Sequence, residues 1–134
     1  MRHAPLTIIA LVLATSACPQ DYPERLPSGN WGGQHIGLVA TDTGATIEYD
    51  CARGEISGPL RLGAAGEFTW EGTHYPGHGG PVRVDEPPNA HPARYVGRAS
   101  AEAMEMTLTL VDGTQAPQTF TLTRGANAGV FRCL

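Results

Sequence analysis

Residues 104–110, Met-Glu-Met-Thr-Leu-Thr-Leu, alternate apolar and polar side chains without a break. A chain patterned this way hides its apolar half only as a strand, because successive side chains point to opposite faces. The same period recurs along most of the sequence. Residues 34–41 set Ile36, Leu38 and Ala40 on one face, and residues 45–51 alternate Ile47, Tyr49 and Cys51 with Thr46, Glu48 and Asp50. Residues 67–75 place Phe68, Trp70, Gly72 and His74 opposite Glu67, Thr69, Glu71 and Thr73. Residues 118–124 contribute Phe120 and Leu122, and the terminal Val-Phe-Arg-Cys-Leu contributes Phe131 and Cys133. Weaker runs at 55–62 and 93–100 bring the expectation to about eight strands. Turn sequences rich in glycine, Asp and Asn separate most of them, at 41–44, 63–66, 111–114 and 125–129. No stretch carries helical periodicity. One wet and one dry face per strand mean antiparallel sheet, and short strands in this number must close or stack to cover their edges. The expected fold is all-β: a small antiparallel up-and-down β-barrel, with a β-sandwich as the alternative, in one domain over residues 31–134.

The first seventeen residues stand outside this pattern. Arg2 precedes an apolar stretch from Leu6 to Ala14, and the small residues Ser16 and Ala17 come just before Cys18. That is the layout of a secretory signal, too short for a spanning helix. The run Leu-Ala-Thr-Ser-Ala-Cys (13–18) also resembles a bacterial lipobox, although Thr15 stands where that motif prefers an aliphatic residue. The resemblance implies that Cys18 becomes the lipid-modified first residue of an envelope protein anchored in a membrane. The alternative is cleavage after Ala17 and a soluble secreted protein. Three cysteines leave one thiol over in an exported chain. With Cys18 lipidated, Cys51 and Cys133 remain as a pair for a disulfide in an oxidising compartment, stabilising by ~4–5 kcal/mol at most. Both fall on dry faces, so an internal bridge is expected. Residues 18–30 are polar and carry Pro19, Pro23 and Pro27, the composition of a flexible tether. Beyond the signal the chain holds thirteen acids against eight arginines and no lysine. That balance argues against nucleic acid as a partner and leaves no polybasic patch for lipid headgroups, so attachment rests on acyl chains.

Between the strand runs ending at Tyr75 and starting at Ala93 lies a long loop, residues 76–92, with five prolines. Loops of that length are commonly functional, and the prolines stiffen this one. It is a candidate lid or partner surface, with Val82 and Val84 placed to pack over a barrel mouth; a rigid connector is the alternative. His74, His78 and His91, near Asp85 and Glu86, are the right residue types for zinc or copper. Yet residues four apart in a strand lie ~13 Å from each other, so His74 and His78 share a metal only if Pro76 and Gly77 turn the chain back. Metal binding is therefore a secondary reading. His74 has inward parity and is expected as a satisfied core histidine or a polar anchor in a ligand pocket. The residues singled out as a ligand or partner surface are His74, Tyr75, His78, Arg83, Arg94 and Tyr95. No catalytic constellation emerges. Ser28, Ser57 and Ser100 are not in nucleophile elbows, no CxxC or phosphate-binding glycine loop occurs, and Glu67 and Glu71 share a wet face. Neither an enzyme nor a cofactor is expected.

Three resemblances extend this reading. Gly-Asn-Trp-Gly-Gly at 29–33 resembles the Gly-x-Trp opening of lipocalin-like and avidin-like barrels. The whole domain resembles a group of small bacterial lipoproteins through Trp31–Gly33, Tyr49–Ala52, Gly79–Pro81, Ala93–Gly97 and Cys133, which implies a lipid-anchored barrel but no activity. Glu48–Cys51, Ala93-Arg94-Tyr95 and the terminal cysteine also resemble lipoprotein inhibitors of c-type lysozymes, although His91-Pro92 stands where that family has Ser-Gly. The expected function is a lipid-anchored binding or structural module that acts through its barrel or its 76–92 loop, holding a small apolar ligand or docking another envelope protein. Inhibition of a lysozyme-like enzyme, which an acidic domain would suit, is the alternative.

Overall fold

The computed structural model of the chain describes residues 22–134; the expected signal (1–17) and Cys18 lie outside the described residues. Eight antiparallel strands form a closed barrel in which each pairs with the next and the last pairs with the first. They are β1 (Gly29–Gly33), β2 (Ile36–Thr41), β3 (Gly44–Tyr49), β4 (Ala52–Ser57), β5 (Glu67–Pro76), β6 (His91–Ala99), β7 (Ala103–Leu110) and β8 (Gln118–Arg124). Closure removes the exposed edges of so small a sheet.

The alternation read from the sequence sorts side chains as expected. Trp31, Ile36, Leu38, Ile47, Tyr95, Met104, Met106, Leu108 and Leu122 are all less than 2 % exposed and fill the interior. The outer wall carries charged and hydroxyl side chains instead, including Arg53 beside Glu55, Arg94 beside Glu71, and Thr107 bonded to Thr119. That is the reverse of a lipid-facing barrel.

Three segments differ from expectation. The first strand begins at Gly29, so Gly-Asn-Trp-Gly-Gly is itself β1. β4 spans Ala52–Ser57, because Gly58, with φ near +105°, and Pro59 end the extended run that was expected over 55–62. The terminal Val-Phe-Arg-Cys-Leu does not join the sheet, since pairing of β1 with β8 leaves no edge for it. Instead residues 125–134 form a strap up the outer wall. The Gly125 N–H donates to Asn30 O (2.7 Å), Gly129 N–H to Gly33 O (3.0 Å) and His35 N–H to Gly129 O (2.9 Å). Outward-facing Gly32 and Gly37, directly paired between β1 and β2, leave the trough in which the strap lies. A Cβ on Gly37 would stand 2.4 Å from the Ala128 Cβ.

The disulfide Cys51–Cys133 fastens the end of the strap, with Cα atoms 4.7 Å apart. It is not the internal bridge that parity suggested. Cys51 is the second residue of a two-residue turn between β3 and β4, with φ near +53°, which takes it out of the alternation and leaves it half-buried at the rim.

Of the segment expected to be a tether, residues 22–28 lie against the barrel end opposite this rim. The Leu26 N–H donates to Leu60 O, the Leu62 N–H to Glu24 O (both 2.9 Å), and both Leu26 and Leu60 are buried. The apolar side chain of Leu26 accounts for the docking, because it is buried as part of the same apolar core as Leu60, Trp31 and Trp70. Those two indoles donate to Pro27 O and Arg61 O, each at 3.0 Å.

Candidate functional site

The up-and-down order puts the turns at 34–35, 50–51 and 111–117 and the loop at 77–90 at one end of the barrel, away from the docked N-terminal segment. His35, His74, His78 and His91, the histidines among the described residues, all sit at this end.

A cleft of about 470 Å³ opens there between the β3–β4 turn, the loop and the strap. Tyr49, Ala52, Tyr75, Val82, Pro87 and Phe131 give it a mainly apolar lining, with Arg53, His78 and Glu86 at its margin. Cys51 joins its walls. The Cys51 N–H donates to Phe131 O (3.1 Å), its carbonyl accepts from the Gly77 N–H (2.7 Å), and its sulfur holds Cys133. Gly77 is needed for this approach, because a Cβ would stand 2.5 Å from Cys51 O. Asp50 accepts the Phe131 N–H (2.7 Å) and pairs with the His35 ring, and the Gly80 N–H donates to the terminal Leu134 O (3.1 Å). Loop and strap are thus tied to each other and to one turn. On the adjacent wall the Arg53 guanidinium stacks 3.9 Å from the Tyr75 ring centre and pairs with Glu55 at 2.9 Å.

The histidines have separate roles. His78 faces an acceptor at each ring nitrogen, Gly79 O at 3.0 Å and Glu86 Oε1 at 2.8 Å. The Gly79 carbonyl first, then Glu86, raise its pKa, and the pair braces the loop internally. His91 bridges the rim, with Nδ1 2.6 Å from Asp112 and Nε2 3.0 Å from Asn89. The His91 bond, followed by those from Thr114, holds the Asp112 carboxyl down at about 2. Thr114 in turn bonds Asp112 (2.8 Å), so Asn89, His91, Asp112 and Thr114 form one network across the rim.

His74 points inward, as parity indicated, and is 3 % exposed. It lies against the Tyr49 ring (5.2 Å between centres) and opposite His91 across the β5–β6 pairing. Burial, and after it the His91 charge, lowers its pKa, so the ring is neutral near pH 7. It was expected to be satisfied or to anchor a ligand. Its Nδ1 has no hydrogen-bond partner, and neither has the hydroxyl of Tyr49 or Tyr95. Burial raises the pKa of both phenols, that of Tyr49 the further; their closeness adds to the rise at Tyr49 and opposes it at Tyr95, although the two hydroxyls do not reach hydrogen-bonding geometry.

The six residues singled out from sequence therefore separate. Tyr75 and His78 border the cleft, Arg83 lies on the exposed loop, Arg94 is on the outer wall 3.7 Å from Glu71, and His74 and Tyr95 are inside. Among the described residues no three His, Cys, Asp or Glu side chains gather in a metal-binding group. Within Ala93-Arg94-Tyr95, the segment behind the lysozyme-inhibitor resemblance, only Arg94 faces solvent. Sequence reasoning missed Tyr49, Arg53 and Phe131 as cleft residues. The available signal was the terminal cysteine, whose bridge to residue 51 brings all three segments together.

No protein-family model, curated protein or solved structure matches the chain.

Proposed function

We propose that this protein is an exported, non-enzymatic binding module that takes a small, largely apolar ligand in the cleft between its 77–90 loop and its C-terminal strap. The observation that carries this reading is the cleft itself, whose volume of about 470 Å³ falls within the ~300–1,000 Å³ of small-molecule sites. Its walls are tied by the Cys51–Cys133 bridge and by backbone hydrogen bonds, so little ordering is left for binding to impose. The packed apolar core directs the apolar body of a ligand to the rim rather than to a central cavity. A disulfide fits the oxidising compartment that a signal at 1–17 would lead to. Lipidation at Cys18 would anchor the molecule by the end opposite the cleft and leave the cleft facing away from the membrane.

The test is fluorescence titration with the neutral apolar probe N-phenyl-1-naphthylamine. Saturable binding at one site is expected, weakened about tenfold (~1.4 kcal/mol) by Phe131→Ala and unchanged by Arg94→Ala on the outer wall. Binding that does not saturate, or that ignores Phe131→Ala, would remove the cleft as the receptor.

A further inference from the structure

Beneath the cleft, the otherwise apolar interior holds Tyr49 Oη, Tyr95 Oη and His74 Nδ1, all buried and none with a partner. Buried polar atoms are almost always hydrogen-bonded, so three orphans in one place mark a site whose partner comes from outside the chain. Two inward-facing glycines explain why they converge. Tyr95 reaches from β6 across Gly72 of β5 to Gly54 of β4. An added Cβ would stand 3.1 Å from Tyr95 Cε2 at Gly72, and 2.7 Å from Tyr95 Oη at Gly54. The same Cβ at Gly54 would lie 3.3 Å from Tyr49 Cε2, and Gly54 pairs directly with His74. The two phenol rings therefore converge over one bare stretch of backbone, with His74 paired across from it and its ring against that of Tyr49.

This group is close to the cleft. The inward pair Ala52–Pro76 borders the cleft, and Gly54–His74 is the next inward pair along the same two strands. Two residues along a strand are ~6.6 Å, about the length of one aromatic ring with its substituent. Ala52 is small, and Tyr49 belongs to both levels: it is a lining residue of the cleft and its hydroxyl is one of the three orphans.

Building on the cleft as the receptor, we propose that its ligand is amphipathic, with an apolar body between loop and strap and one small uncharged hydrogen-bonding group (a hydroxyl, carbonyl or amide) inserted into a polar well formed by Tyr49, Tyr95 and His74. An uncharged group is specified because the well holds no full charge. The phenols stay protonated and His74 neutral near pH 7, so a buried anion or cation would lose its hydration without a counter-charge. Each phenol both donates and accepts, so the well suits a hydroxyl and a carbonyl alike.

The experiment compares toluene with p-cresol, which differ by one hydroxyl, by NMR titration of the oxidised protein. A purely apolar cleft would favour toluene, because burying an unpaired hydroxyl is costly. The polar well predicts p-cresol tighter by about fivefold, the size of one net hydrogen bond. It also predicts that p-cresol, and not toluene, shifts the His74 imidazole ¹⁵N resonances, a readout that needs no variant. Tyr95→Phe, which leaves the cleft lining intact, should bring the p-cresol/toluene ratio to one or below. If both bind with toluene equal or tighter, the well is refuted while the cleft stands. If neither binds, both readings fall. A p-cresol preference that survives Tyr95→Phe, without any His74 response, refutes the well as well.

Discussion

Removing the disulfide should cost this barrel a large part of its stability. Cys51 and Cys133 are 82 residues apart in sequence, and the chain-entropy relation for a loop of that length gives about 4.5 kcal/mol at 25 °C. Native domains have about 5–15 kcal/mol in all, so the bridge is worth between a third and most of the total. The structure adds a reason in the folded state. β1 and β8 close the barrel through only two residue pairs, Trp31–Arg124 and Gly32–Thr123, whereas β1 and β2 share five. The strap leaves β8, crosses that short seam and bonds to Asn30, Gly33 and His35, and the disulfide pins its far end. Cys51→Ala/Cys133→Ala is the suitable variant, because alanine keeps a Cβ at the left-handed residue 51 and so leaves backbone strain there unchanged. In urea unfolding the double variant should lose ~4–5 kcal/mol, with a steeper denaturant dependence because its unfolded chain is no longer cross-linked. Hydrogen exchange should accelerate first at the His35 and Gly129 amides. A loss below about 1 kcal/mol with an unchanged slope would refute this reasoning.

Two further predictions concern the interior. Gly54→Ala puts a methyl 2.7 Å from the Tyr95 hydroxyl and should cost ~1–3 kcal/mol by overpacking. Tyr95→Phe should recover part of that loss in a double-mutant cycle, and strict additivity would show that the two groups do not meet. Because burial lowers the His74 pKa, the unfolded chain takes up a proton near pH 6.5 that the folded one refuses. The stability this residue contributes is therefore complete above about pH 6.5 and declines below it, by at most ~1.4 kcal/mol per pH unit. His78, with a raised pKa, slopes the other way, so the comparison belongs in a His78→Gln background, where adding His74→Gln should abolish the remaining slope between pH 6.5 and 5. Asp112, held at about 2, acts only below the ordinary carboxylate range and does not interfere.

The strands from β2 to β8 were mostly legible, because each carries its own alternation and a strand's two faces need only local information. Met104, Met106, Leu108 and Leu110 were placed inside by spacing alone, and so was His74. Tyr95 belongs to a motif that the sequence marks as a surface, yet it is fully buried. The alternation of Ala93, Tyr95 and Ala99 against Arg94 and Arg98 was visible, but Gly97 interrupts the apolar face and weakens the signal. In sequence β1 looks like a lead-in because glycines leave almost no pattern, and their use lies in the strap that packs on Gly32. Parity failed at Cys51 because a left-handed turn residue belongs to neither strand face.

By itself, then, the sequence determined that this chain makes antiparallel sheet that must close or stack, which face of most strands is dry, and that Cys51 and Cys133 are available to pair. Those properties follow from spacing and composition within short windows. Only the tertiary structure decided that the sheet closes as a barrel, that the bridge lies at the rim, and that a tail from one end of the chain builds a cleft with a loop some fifty residues earlier. It alone brought Tyr49, His74 and Tyr95 together over Gly54. These are contacts between segments distant in sequence, set by where the barrel closes, and no local periodicity encodes which distant residue will fill a given gap.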